Sequence, residues 1–466
     1  MIWTVLLLVQ ALLFYFILTN RSRRKTDPPL DKGLVPWLGH ALEFGKDAAK
    51  FLNRMKLKHG NVFTVRAAGR YVTVLLDPHS YDTIMNDSES LDFIRHAQVL
   101  MERIFTLRLS HHQMAKAKTM MTKHFMGTNL AALNHTMSRH IQALLKAEMP
   151  PNQKDWKEKG LFDFSYSLLF NSTVYVVSVT HSLTSPVVYL FVAEEGKTAQ
   201  SVRQKLWEFL APAGLTADLG SRSWLHAYRR LLQEEGVDEE TQAKAVLLQL
   251  WATQGNVGPA AFWLLGYLLT NPQALWAVKK ELSWTSQVEA SGTPLMDRPA
   301  TTPVFDSALE ETLRLTAAPF ITREVVQEKT LHMADGQEYL LRKGDRVCLF
   351  PFISPQMDPE IYQEPQKFKY DRFMNKDGSV KKDFYKGGRR LKYYTMPWGA
   401  GTNGCVGKQF AINTIRQFVY MVLTNYDLEL CDPNAQMPEV NASRYGFGML
   451  QPQGDLSVRY KPRNTH

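Results

Sequence analysis

The 466-residue chain is poor in cysteine, with Cys348, Cys405 and Cys431 its only three. An odd number, scattered through a long chain, excludes a disulfide scaffold and points to a reducing compartment. No low-complexity tract, Gly/Ser linker or internal repeat is present, which excludes fibrous and solenoid architectures. The net charge of +10 would suit nucleic acid, an anionic membrane surface or an acidic protein. Nucleic acid is the weakest of these, because no zinc-ligand array or RNA-binding signature accompanies the charge. Lys381, Lys382, Lys386, Arg389, Arg390 and Lys392 could dock an acidic partner, lie against a membrane or form a solvated face. Five Asn-x-Ser/Thr sequons, at Asn20, Asn86, Asn134, Asn171 and Asn441, are short enough to arise by chance and are read as unused. With 45% hydrophobic and 21% charged residues, the rest reads as one large globular domain and, by default, a monomer.

The longest apolar stretch stands at the start. Ile2 to Leu18 is interrupted only by Thr4 and Gln10 and as a helix spans about 26 Å, close to the thickness of a thin reticulum bilayer. Positive charge follows this run instead of preceding it, and no small-x-small cleavage site closes it, which favours a retained anchor over a signal peptide. Arg21, Arg23, Arg24 and Lys25 put everything downstream in the cytosol by the positive-inside rule. The expectation is a transmembrane anchor with a basic stop over 1–25, held in the endoplasmic reticulum membrane. Pro28 and Pro29 end any helix and predict a proline hinge over 26–30, followed by a catalytic domain over 31–466.

In that domain Asn61 to Val65 and Tyr71 to Leu76 predict a hairpin with Gly69 and Arg70 at the turn. Apolar residues at three- and four-residue spacing predict helices in Ser138 to Lys146, Glu239 to Leu269 and Gly407 to Leu423. Strand-like runs return at Phe320 to Val326, Glu338 to Leu341 and Arg346 to Phe350. The predicted class is mainly α with small β-sheets. Between Phe164 and Leu206, Val174 to Val179 and Pro186 to Val192 are rich in β-branched residues, which disfavour helix.

Pro397 to Gly407, PWGAGTNGCVG, is a glycine-rich loop that runs into a helix, with Cys405 where the helix begins. A helix amino terminus favours thiolate over thiol and can donate hydrogen bonds to a metal-bound sulfur. Glycines at 399, 401, 404 and 407 would let the backbone approach a large flat cofactor. Glu311 and Arg314, three apart, are a weak signal alone. The downstream Pro365, Phe368, Arg372 and Phe373 supply a second arginine that could complete a buried network, structural in role because unpaired charges are costly to bury.

In this order and spacing the three motifs resemble the cytochrome P-450 superfamily, from about Pro28 to Arg459. The resemblance implies that fold, a haem b cofactor and Cys405 as the axial thiolate on its iron. It also implies that Trp398 and Gly401 belong to the cofactor loop, with Glu311, Arg314 and Arg372 bracing it. The usual arginine or histidine two residues before the cysteine is Asn403 here. Candidates for the haem propionates therefore become Arg323, Lys116 and Lys118, although the two lysines are equally well read as surface residues.

Oxygen-activating members usually carry an acid followed by threonine in the central helix. Here Gly255 and Asn256 hold those positions, and neither relays protons as a carboxyl and hydroxyl pair would. Pro259 lacks the N–H that would bond the Gly255 carbonyl, predicting a kink. Asn256 would then hydrogen-bond a substrate oxygen above the iron, or be an ordinary packing amide. Three unusual stretches, Leu313 to Arg323, Trp251 to Phe262 and Arg444 to Pro452, resemble a branch of the superfamily that isomerises a lipid endoperoxide without a reductase or oxygen. That resemblance makes Trp251, Gly255, Asn256, Pro319, Phe320 and Thr322 substrate-site candidates. Oxygen-dependent sterol hydroxylation and ligand binding without turnover are the competing readings.

Overall fold

The computed structural model describes residues 24–150, 153–178, 224–290 and 302–463, with positions 3, 10, 204 and 207. Among the described residues no helix is long and apolar enough to cross a membrane, and nearly all of the expected anchor lies outside them. The expected hinge is pinned to the body. Thr26 O and Pro29 O accept from Leu340 N and Thr64 N, each at 2.7 Å, and the buried Asp27 carboxylate pairs with Arg342. Proline removes a donor but leaves its carbonyl free to pair, so a proline-rich strip can still be stitched down.

Strand β1 (Leu30–Asp31) continues that strip and pairs in parallel with β2 (Val62–Ala67), which follows helix α1 (Ala48–His59). β2 and β3 (Arg70–Leu75) form the expected hairpin. Its turn falls one residue early, at Ala68 (φ 47°) and Gly69 (φ 75°). Two positive φ values suit a two-residue loop between twisted strands. β4 (Leu91–Asp92), β5 (Ile321–Val325) and β6 (Arg346–Leu349) complete a six-stranded sheet of order β1-β2-β3-β6-β5-β4.

Among the described residues the longer helices that follow are α2 (Phe93–Phe105), α3 (His111–His124), α4 (Gly127–Glu148), α5 (Leu161–Ser178), α6 (Trp224–Glu234), α7 (Glu239–Leu269), α8 (Pro272–Ala290), α9 (Pro303–Thr316) and α10 (Lys408–Asn425). Local chemistry sets the starts. Asp92 caps α2 by accepting from Ile94 N at 2.7 Å, Ser110 and Gln113 form a capping box on α3, and Asp238 caps α7 through Thr241 N at 2.9 Å. The expected helices at 138–146, 239–269 and 407–423 fall in α4, α7 and α10. α5 remains helical through Ser178, against the β-branched composition of 174–178. Propensity differences of under about 1 kcal/mol per residue are outweighed by tertiary burial of the preceding turns, where Phe164, Leu169 and Phe170 sit in the main core. Pro186 to Val192 lies outside the described residues.

α7 is the axis of the helical core. Val257, Ala260, Ala261, Phe262, Trp263, Leu264 and Leu265 are all buried, as expected of a helix apolar on every side. α5 lies close against it: a Cβ at Gly258 would fall 2.6 Å from the Tyr166 ring and 3.1 Å from the Tyr166 Cα. Only glycine permits that approach. α7 keeps helical geometry through Pro259, so the expected opening of the helix is not an interruption of it.

Candidate active site

A cavity of about 340 Å³ lies between α7, the strip 317–321 and the loop 397–407. Its walls are mostly apolar and include Cys405, Trp398, Asn403, Arg323, Phe320 and Asn256.

Among the three thiols, Cys405 alone lines this space. Cys348 is buried in β6, where it meets the Thr322 hydroxyl at 3.5 Å and burial pushes its pKa up to about 12. Cys431 is exposed beyond β-strand Tyr426–Leu430. The loop is folded so that Cys405 N donates to Trp398 O at 2.9 Å and Gly404 N to Gly401 O at 3.1 Å. α10 then starts at Lys408, three residues after the sulfur. Burial raises the Cys405 pKa, and the backbone N–H groups of Gly407 and Lys408 oppose it without winning. The helix end therefore does not by itself make the thiolate expected from sequence. A bound metal cation would do so, because a coordinating thiol gives up its proton. Gly401 is not on the cavity wall; its φ of 63° serves the turn, and a Cβ there would meet Met85 O at 3.3 Å.

Behind the loop lies the charged network expected from sequence. The Glu311 carboxylate accepts from Arg314 Nε at 2.7 Å, Arg314 Nη2 at 2.9 Å, Arg372 Nε at 2.8 Å and Lys369 N at 3.1 Å. Glu311 and Arg314 are fully buried. Arg372 spends its other donors on Gln363 O and Lys367 O, at 2.8 and 2.9 Å. Gln356, which sequence reasoning missed, joins this network to the loop. Its Nε2 donates to Arg314 O and Ala317 O, and its Oε1 accepts from Met396 N at 3.3 Å, one residue before the loop.

Across the cavity, Asn256 Oδ1 accepts from Met449 N at 3.0 Å, while Nδ2 reaches only Ala252 O at 3.5 Å. Thr253 also lines the cavity, but its hydroxyl lies 3.0 Å from both Gln249 O and Leu250 O and is folded back on its own helix. No carboxylate is among the described lining residues. Pro319 and Phe320 line the cavity as expected, joined by Phe93, Gln249, Leu313 and Met449. The Arg444 to Pro452 stretch was the one available hint of Met449, since its glycines mark a special turn.

Several expected residues stand off the wall. Trp251 turns edge-on to Phe105, 5.7 Å between centroids, and Thr322 points at Cys348. Gly255 is not a lining residue, and a Cβ there would meet nothing within 4 Å. Lys116 pairs with Glu235 at 2.5 Å at the end of α6. Lys118, two residues on and so on another helix face, reaches Thr402 O and lies 3.4 Å from Asn403 Oδ1. Half of the basic cluster is ion-paired: Lys386 with Asp358, Lys392 with Asp82 and Arg390 with Asp383, at 2.6, 2.7 and 2.5 Å. That weakens it as a docking face.

The residues present fit an iron porphyrin. Trp398 Nε1 and Trp224 Nε1 are buried on the cavity lining without a partner, and unsatisfied buried donors are rare unless a bound group completes them. Arg323, only 4% exposed, stacks on Phe93 at 5.0 Å and spends one N–H on Thr322 O, so a buried guanidinium stands ready for a carboxylate. Apolar walls, one thiol and such donors match a flat apolar ring carrying carboxylates and a metal.

A family model described as Cytochrome P450 matches residues 28–187 and 216–458. The chain is 50% identical to prostacyclin synthase of Rattus norvegicus, with 95% of each chain covered, and 48% identical to that of Homo sapiens at the same coverage. It is 38% identical to 7-alpha-hydroxycholest-4-en-3-one 12-alpha-hydroxylase of Oryctolagus cuniculus, over 95% of this chain and 94% of the relative. With fold, loop and network in agreement, the chain belongs to the cytochrome P450 family, and its cofactor is a thiolate-ligated haem.

Proposed function

We infer that the protein is an intramolecular isomerase that converts the endoperoxide prostaglandin H2 to prostacyclin without NADPH, reductase or molecular oxygen. The observation that carries this reading is the polar inventory of the cavity. On the cavity wall Asn256 Nδ2 has only a long contact of 3.5 Å to Ala252 O, no carboxylate is among the described lining residues, and the Thr253 hydroxyl is turned away. Oxygen activation needs delivered protons; opening an existing O–O bond does not. High identity to prostacyclin synthases supports the same substrate.

Bound haem supplies the O–O scission and the electron traffic of the rearrangement. In this reading Cys405 would supply the thiolate to the iron, and Trp398, Asn403, Arg323 and Lys118 would hold the ring and its loop. Asn256 donates to one endoperoxide oxygen and thereby orients it. Pro319 and Phe320 with Met449 pack the apolar body of the substrate and exclude water. The protein's share is positioning, since the ring closure rearranges atoms the substrate already has.

Residues 1–25 form the membrane anchor, 26–30 join it to the body, and the monomeric domain 31–466 works at the cytosolic face of the endoplasmic reticulum. The apolar run at 2–18 and the basic residues behind it support this. The test is to incubate the haem-loaded protein with prostaglandin H2, omitting NADPH and reductase, and to follow products by mass spectrometry. Prostacyclin or its hydrolysis product is expected. Product only with NADPH, reductase and a sterol would favour hydroxylation, which the 38% identity to a sterol 12-alpha-hydroxylase keeps in view. No product from either substrate would leave a ligand binder.

A further inference from the structure

The loop 446–449 does more than close the cavity. It is laced to the strip 317–320: Gly446 N donates to Ala318 O, Ala318 N to Gly448 O, each at 2.8 Å, and Leu450 N to Thr316 O, also at 2.8 Å. A second seam ties it to α7, where Trp263 Nε1 donates to Leu450 O at 2.7 Å and Met449 N to Asn256 Oδ1 at 3.0 Å. Gly448 adopts φ 99°, and a Cβ on it would fall 2.4 Å from Asn256 Oδ1. That is shorter than any real contact between a methyl carbon and an oxygen.

An asparagine amide has one acceptor end and one donor end. Which end faces the cavity decides what it reads. Met449 N–H can bond only the oxygen, and the missing side chain at Gly448 makes room for that oxygen. The amide is thereby locked with Nδ2 left over for the cavity, and that end is held otherwise only by a long contact to Ala252 O.

We propose that Gly448 and Met449 are positioning residues that fix the polarity of Asn256, so that the cavity presents a donor to an oxygen bearing only lone pairs. This rests on the isomerase reading for the identity of that oxygen, but the lock itself does not depend on turnover.

The experiment uses full-length haem-loaded protein and two readouts besides activity. Amide hydrogen exchange at Met449 reports the lock. Soret difference titration with a stable analogue, a bicyclic ether in which one peroxide oxygen is replaced by carbon, reports what the amide reads. In Gly448→Ala the analogue should bind about three- to tenfold more weakly, the range expected for one net hydrogen bond. Asn256→Ala should show a similar loss, and the double variant no more than either single one. Asn256→Asp keeps an oxygen for Met449 N and replaces the donor by an acceptor. It should retain Met449 protection and lose analogue affinity, which keeps the test decisive if Gly448→Ala does not fold. A reduced carbon monoxide band at the thiolate position serves as the folding control. Additive losses in the double variant, or unchanged Met449 exchange in Asn256→Ala, would overturn the proposal. Failure of the wild type to convert prostaglandin H2 with these results intact would overturn the isomerase reading instead.

Discussion

Replacing Glu311 by glutamine removes a single charge and no volume, yet the structure makes it a severe change. Both carboxylate oxygens are occupied: Oε1 accepts from Arg314 Nη2, Arg372 Nε and Lys369 N, and Oε2 from Arg314 Nε. In glutamine the amide oxygen can serve only one of these sides. Leaving it on the three-bond side turns the new NH2 against Arg314 Nε, donor against donor. Reversing it sacrifices three bonds to keep one. Either way two guanidinium groups remain, Arg314 fully buried and Arg372 nearly so, with no negative charge between them. Breaking a buried pair in this way costs about 3–5 kcal/mol, against a total stability of about 5–15 kcal/mol for a folded protein. Because Arg314 and Gln356 tie the network to Met396, the loss should reach the cysteine loop first. The expected result is a lowered unfolding midpoint and a smaller haem-loaded fraction, with turnover per bound haem nearly unchanged. Thermal unfolding read beside the reduced carbon monoxide spectrum separates these. A cost below about 1 kcal/mol, the range of exposed pairs, would refute the view that this network braces the loop.

The two lysines of α3 should separate cleanly: Lys118→Ala should speed haem loss to apomyoglobin because it removes the contact with Thr402 O, whereas Lys116→Ala should not, and equal rates would contradict the assignment. Asp238→Ala should destabilise the protein by about 1 kcal/mol, the usual worth of an N-cap, as read by denaturant midpoint; no shift would mean that tertiary packing alone sets the start of α7. Asp31 gives a pH dependence. Burial pushes its carboxyl up, but hydrogen bonds from Lys58, His40, Gly33 N and His59 together hold it well below the usual carboxylate range. A folded pKa below the unfolded value means that the contribution is present above about pH 4 and is lost as pH falls further. Asp31→Asn should therefore lower stability at neutral pH and flatten the acid limb of the stability curve below about pH 4. An acid limb as steep as in the wild type would show that the strip at 26–31 is held by other means.

What was legible in the sequence, and what was not, follows how far each interaction reaches along the chain. The cysteine loop and the periodicity of α7 are local, so spacing alone announces them. Glu311 and Arg314 sit one helical turn apart, and burial pairs them with Arg372 because two charges cannot be left alone. Gln356 gave no such warning, since a glutamine is a common surface residue and its partners lie about 40 positions away on both sides. Lys116 and Lys118 were indistinguishable because the sequence does not say which face of α3 meets the loop. The helix at 174–178 was not legible because weak propensity gives no sign of the buried turns before it, at Phe164, Leu169 and Phe170. Asn256 is the most instructive case, since its two readings, substrate donor and packing amide, had been set against each other. The Met449 N–H takes the oxygen 193 residues away in sequence, and the same bond leaves the nitrogen toward the cavity. The packing contact is thus what would give the donor its direction, and a side chain free of that contact would present either end of its amide and orient nothing.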